Sequence, residues 1–242
     1  MNDKLSELSE IVRLTGNYVE KLVEGGILHI PIEQPAAQGQ DGDGELTPDA
    51  RPAVDPVGAL NELQTTVSTC RKCALSKTRT RTVFGTGACR APLIFVGEAP
   101  GADEDRQGLP FVGRAGQLLT KMLAYIGLKR EDVYITNVLK CRPPRNRDPL
   151  PNEVACCEPY LLAQLEVVKP RLICALGRHA AQTLLKTEAA ISKLRGRFHD
   201  YHGVTILPTF HPAYLLRNPA DKDKAKEDLK KIKAFLNEAQ SR

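Results

Sequence analysis

Four short apolar runs of β type alternate along the chain with longer stretches of helical period, and that alternation limits the fold more than any other feature. The runs are Leu93–Val96 (LIFV), Val133–Val138 (VYITNV), Leu172–Leu176 (LICAL) and Val204–Leu207 (VTIL). Helical patterns cover Arg114–Ile126, Asn152–Val168, Arg178–Leu185 and Asp221–Glu238, the last with Ala225, Leu229, Ile232 and Leu236 on one face and lysines opposite. Such strand–helix alternation implies a parallel sheet covered by helices on both faces. The expectation is an α/β fold, a three-layer α/β/α sandwich around a central, mainly parallel four-stranded sheet. In such sheets ligands bind beyond the carboxyl ends of the strands. That directs attention to Gly97–Gly101, to Asn137 and to the loop from Thr209 onward.

The chain ahead of the first run divides in two. Residues 1–32 read as an N-terminal helical segment, with Leu5, Leu8, Val12, Val19 and Leu22 at alternating steps of three and four and Thr15 in the gap. A stripe that narrow suits docking on a protein partner or on a second copy, and suits equally a helix packed on the main domain. Residues 33–58 are rich in Pro, Gly, Ala, Gln and Asp and read as a disordered linker, so the folded domain is expected over 59–242. The formal charge of +5 is compatible with a polyanionic partner and too small to demand one. No apolar run reaches membrane-spanning length and the N-terminus lacks a signal-peptide layout. No membrane and a cytoplasmic location are therefore expected, where thiols stay reduced.

Location decides how the seven cysteines are read, an odd number that argues against a disulfide framework. Cys70 and Cys73 form a CxxC pair, Cys141 follows the second apolar run, and Cys157 lies across the Pro-rich loop CRPPRNRDPLP. On a helix starting near Asn152, Cys157 shares a stripe with Val154, Leu161, Leu165 and Val168. The adjacent Cys156 is turned about 100° away, so Cys157 is the better ligand. Four thiolates hold zinc or an iron–sulfur cluster. The two close pairs usual in structural zinc sites are missing, and the spacing favours the cluster. Cys89 and Cys174 have no partner at ligand spacing, and Cys174 reads as a small core residue.

The strand ends carry the remaining candidates. After the first run, Gly97, Pro100 and Gly101 make a turn that lets backbone approach a ligand, within an acid-rich stretch (Glu98, Asp103, Glu104, Asp105) before Pro110 and Phe111. Gly113–Gly116 leads into a helix whose N-terminus suits a phosphate. Asn137 offers a donor and an acceptor to the edge of a base, or else caps the following turn. His211 lies in PTFHPAYLLRNP, followed by the apolar Tyr214, Leu215 and Leu216 beside Arg217, a pattern suited to a wedge that enters a base stack while the cation meets phosphate.

Together these segments resemble the iron–sulfur uracil-DNA glycosylases, family 4, over roughly Thr69 to Pro219. GEAPG, PFVGRAGQLL, TNVLKCRPPRNR and HPAYLLRNP stand in the family's order and spacing. The resemblance implies a DNA-repair enzyme that flips uracil out of single- or double-stranded DNA and hydrolyses its glycosidic bond. It implies a 4Fe-4S cluster on Cys70, Cys73, Cys141 and Cys157. Phe111 would stack on the base, Asn137 would bond its pairing edge, His211 would face O2, and Glu98 would lie near the sugar. Leu215 and Arg217 would contact DNA. Ala99 stands where relatives outside the family have aspartate, and Gly101 where they have a tyrosine that blocks thymine, a task that falls here to Glu104. CRPPRNRDPLP has no histidine of the kind that traps DNA covalently in a related subgroup, so ordinary turnover is expected. Two rival expectations are a non-catalytic iron–sulfur protein that binds nucleic acid and a glycosylase of the same fold with another preferred base.

Overall fold

The structure, a computed structural model, describes residues 55–238. The expected N-terminal helix and nearly all of the expected linker lie outside the described residues. The described chain opens on α1 (Pro56–Ser68), three residues ahead of the expected domain start. Asp55 caps this helix, its carboxylate accepting from Val57 and Gly58 N–H at 3.0 Å each. Proline follows at the first helical position, where its missing N–H costs nothing. Asp-Pro, which resembles linker composition, is here a helix start.

One sheet runs in the order β1-β3-β2-β4-β6-β5. Its centre is the four expected strands, β2 (Leu93–Gly97), β3 (Tyr134–Asn137), β4 (Leu172–Leu176) and β6 (Val204–Thr209), all parallel. Two antiparallel edge strands, β1 (Thr86–Gly87) on β3 and β5 (His199–Tyr201) on β6, raise the count from the expected four to six. Both are too short and too polar for an apolar run to mark them.

Alternate side chains of the centre feed two cores. Ile94 and Val96 face the layer containing α1, α4 (Pro151–Val168) and α5 (Arg178–Leu185); Leu93 and Phe95 face α3 (Arg114–Tyr125), α7 (Pro212–Arg217) and α8 (Lys222–Glu238). Two short helices, α2 (Ala102–Gln107) and α6 (Ile191–Leu194), complete the described elements of α type. Cys174 is fully buried in the second core, as expected of a packing residue.

The chain leaves β2 for β3 on one side and then crosses to β4 on the other. Strand order therefore reverses at β2, and the carboxyl ends of β2, β3 and β4 border a crevice. The end of β6 is tied down from α8: Asp228, fully buried, accepts from Thr209 Oγ1 at 2.7 Å and from Arg195 Nε and Nη2 at 3.0 and 2.7 Å.

Candidate active site

Gly97, the last residue of β2, lies between two expected site residues. A β-carbon there would sit 2.2 Å from Asn137 Oδ1 and 2.7 Å from Phe111 Cζ, closer than atoms pack, so only glycine leaves room for both. Strand pairing continues past the ends of β2 and β3, with Val138 N–H on Gly97 C=O at 2.9 Å and Leu139 N–H on Glu98 C=O at 3.0 Å. Asn137 is only 2 % exposed, yet among the described residues no group hydrogen-bonds its carboxamide. Its backbone carbonyl accepts from Lys140 Nζ at 2.7 Å.

Phe111 is buried with φ of 53°, a strained value for a non-glycine residue. Neighbours hold it there. Arg130 donates to the carbonyls of Phe111 and Pro110 at 3.2 and 2.8 Å. Glu104 accepts from Val112 and Gly113 N–H at 3.0 and 3.2 Å with one oxygen, and from Gly101 N–H at 3.1 Å with the other. The Phe111 ring meets the His211 ring at 5.6 Å between centroids.

His211 is the N-cap of α7. Its Nδ1 accepts from Ala213 N–H at 3.1 Å, so the proton of the neutral ring is on Nε2. Burial, with Arg217 nearby, pushes the imidazole down to about 4, which keeps it neutral at pH 7. Gly177, after β4, has φ of 91°, and a β-carbon on it would fall 2.7 Å from His211 Cβ. Glu98 is half-buried and its carboxyl is pushed up to about 7, first by desolvation and then by Asp148, with Arg178 opposing.

Two expectations need correcting, and Glu104 stands differently from a free side chain. Leu215 is not an exposed wedge: α7 turns it inward, 1 % exposed, into the core layer with Leu119 and Leu123. Leu216 is the half-exposed neighbour and Arg217 is exposed. At the N-terminus of α3 the N-cap Gly113 N–H binds Glu104, so a carboxylate already stands where a phosphate was expected. Glu104 itself has its carboxylate fully engaged by backbone, so it acts as a fixed brace of the Phe111 and Gly101 loops.

The four expected cysteine ligands come together. Cys70, Cys73, Cys141 and Cys157 line one cavity with Cys156, Arg79, Lys140 and Tyr160. Cys141 Sγ accepts from Arg79 at 3.2 Å and Cys157 Sγ from Lys140 N–H at 3.3 Å. Cys156 points its sulfur at the Lys72 carbonyl, 3.4 Å away, which calls for a protonated thiol. Two of the four sulfurs therefore accept hydrogen bonds, whereas Cys156 donates one. No three of these sulfurs lie within 4.8 Å of one another. Zinc would draw its thiolates to about 3.8 Å spacing, closer together than any three of these sulfurs stand.

Lys140, Asp148, Gly177 and His179 are absent from the expectations above. Strand-end logic that pointed to three other strands points equally to the end of LICAL, where Gly177, Arg178 and His179 stand. Lys140 is 1 % exposed and fully paired, donating to Thr136 Oγ1, Asn137 C=O and Gln164 Oε1 at 2.7, 2.7 and 2.6 Å. A lysine between a strand and a cysteine gives no signal of that in sequence. No described helix is long and apolar enough to cross a membrane.

Comparison with known proteins adds a family and relatives. The profile of the Uracil DNA glycosylase superfamily matches residues 84–236. A type-4 uracil-DNA glycosylase of Archaeoglobus fulgidus is 50% identical over 182 residues, 72% of this chain and 92% of that protein. Those of Saccharolobus solfataricus and Thermotoga maritima are 45% and 47% identical, over 71% and 70% of this chain and 83% and 91% of theirs.

Proposed function

This chain belongs to the Uracil DNA glycosylase superfamily, and from that premise we propose how its strand-end residues carry out uracil excision. The reaction is hydrolysis of the N-glycosidic bond between uracil and deoxyribose, which leaves an abasic site in DNA. A stacked base is out of reach, so the nucleotide must turn out of the helix into the crevice.

The single observation that carries the residue roles is the Asn137 carboxamide, nearly buried and unpaired beside the Phe111 ring over Gly97. Its polar atoms are not sealed off from the crevice, so a base that displaces water there must supply their hydrogen-bond partners. The pairing edge of uracil does so, with an acceptor and a donor against the amide N–H and C=O, while Phe111 stacks on the ring. As the bond breaks, negative charge grows on uracil and positive charge on the sugar. His211 Nε2–H, neutral and fixed by its cap bond, donates to uracil O2, and Glu98 faces the sugar. Glu104 and Gly101 form a braced wall at the base's remaining edge, and a carboxylate held by three N–H groups cannot swing aside for thymine's methyl group. Leu216 enters the vacated stack and Arg217 meets phosphate, the tasks first expected of the buried Leu215 and its neighbour.

Cys70, Cys73, Cys141 and Cys157 hold a 4Fe-4S cluster in this proposal. When bound, the cluster supplies a cross-link between segments distant in sequence; the residues of the crevice carry the chemistry.

Single-turnover release of base from uracil- and thymine-containing oligonucleotides tests the roles. Uracil is expected to be released and thymine not, and Asn137→Asp to lose most of the uracil activity, because an ionised carboxylate cannot donate. Wild-type rates for a folded Asn137→Asp protein would overturn the assignment.

A further inference from the structure

Phe111 offers its ring to the base, but its backbone is where the chain departs from the ordinary. A φ of 53° is sparsely populated for a bulky side chain, which would relax to negative φ if its peptide planes were free to turn. They are not free. The plane between Pro110 and Phe111, which sets φ, is held at the Pro110 carbonyl by Arg130 Nη2 at 2.8 Å. The plane between Phe111 and Val112, which sets ψ, is held at both ends. Its carbonyl accepts from Arg130 Nη1 at 3.2 Å, and its N–H donates to Glu104 Oε1 at 3.0 Å. Cation on oxygen and anion on N–H is the arrangement a peptide dipole favours, and a reversed plane would meet like charges. Helix α3 closes a further side: a β-carbon on Gly116 would fall 1.7 Å from the Phe111 carbonyl oxygen.

Arg130 does most of this holding, and it comes from elsewhere in the chain. It opens the short 3-10 turn Arg130–Asp132 ahead of β3, nineteen residues after Phe111. It is half-buried and makes no ion pair among the described residues. The acids next to it are engaged with Lys129 instead: Asp132 accepts the Lys129 N–H at 2.7 Å, and Glu131 lies 3.6 Å from Lys129 Nζ. A guanidinium in need only of charge had two carboxylates beside it in the chain. Its planar fork spans two successive carbonyls of the strained segment.

We propose that Arg130 is a positioning residue for uracil excision: through the Pro110 and Phe111 carbonyls it fixes the strained backbone that keeps the Phe111 ring over Gly97 and beside His211, so the slot for the base is formed before uracil enters. This rests on the reading that Phe111 stacks on the base. Without the fork, the planes on either side of Phe111 turn toward ordinary φ and carry the ring away. Uracil must then reset the ring with its own binding energy at each turnover. The loss falls on steps in which a base occupies the slot, and spares contacts to sugar and phosphate.

The experiment is a double-mutant cycle in the full-length protein, with Arg130→Met, Phe111→Ala and both changes together. Three quantities are measured: single-turnover uracil release, inhibition by free uracil, and binding to abasic-site DNA. Arg130→Met is expected to slow release by about 10- to 100-fold and to weaken inhibition by uracil, with iron content and abasic-DNA binding near wild type. In the Phe111→Ala background the same substitution should make almost no further difference, because Arg130 acts through the ring. General loosening would lower the double variant below either single one and weaken abasic-DNA binding as well. If Phe111→Ala releases uracil at the wild-type rate, the stacking reading falls and this inference with it. If Phe111→Ala is slow but Arg130→Met is not, or if the two losses multiply in the double variant, this inference alone falls. Should Arg130→Met fail to fold, Arg130→Lys, which keeps the charge and loses the planar fork, takes its place and must give the same cycle.

Discussion

The carboxyl end of β3 serves two regions built on opposite plans. On one side, Asn137 is buried and Glu98 half-buried, their polar side chains have no hydrogen-bond partner among the described residues, and His211 keeps its Nε2–H free of its cap bond. On the other, three residues farther along, the cysteine corner answers its own groups: Arg79 and Lys140 donate to sulfur, and the Lys140 ammonium has three acceptors. The first arrangement suits a guest that arrives and departs. The second suits a group that stays. Polar side chains without a protein partner next to fully paired ones, three residues apart, tell turnover from architecture more sharply than either region alone.

The strongest way to break this contrast is at the resident side. Cys157→Ser is expected to abolish bound iron and to collapse the melting transition, whereas Cys156→Ser keeps both, measured by iron content and thermal unfolding. The reverse pattern would mean that the donor geometry of Cys156 has been misassigned. Next in size, His211→Ala should lower single-turnover uracil release by about 10²–10³-fold while iron content, melting and binding to abasic product stay near wild type. If product binding collapses and cleavage does not, the histidine belongs with the DNA contacts and the open side is smaller than described. The smallest effect tests the bridge between the regions. Lys140→Met strips a donor from Thr136, Asn137 and Gln164, and a buried acceptor left unpaired costs about 1–3 kcal/mol. With iron retained, uracil release should fall roughly tenfold through a loosened Asn137; an unchanged rate would show that the two sides are independent.

Much of this was legible in sequence, for identifiable reasons. Strands buried on both faces are uniform apolar runs, so all four central strands were marked, while β1 and β5 carry too little apolar pattern to register. That Cys157 turns inward and Cys156 outward was legible because helix phase is a property of spacing. Leu215 was misplaced because PAYLLR is a six-residue helix, too short to establish a period, although His-Pro before it is the cap and first-turn proline that announce one. The three backbone bonds of Glu104 were not legible, because an acidic side chain facing backbone N–H groups cannot be distinguished in sequence from one facing a ligand. Asp148 and His179 depend on a meeting of loop and helix that no local pattern encodes.

Gly97 and Gly177 set a boundary on how this enzyme can be redesigned. Every single replacement of either residue adds at least one carbon, and that carbon lands on Asn137 and Phe111 in one case and on His211 in the other. A mutagenised library selected for a new base preference should therefore keep both glycines unchanged, although neither has a side chain with which to touch the base. New specificity has to be found at the occupied positions, with these two hydrogens as fixed points of the search.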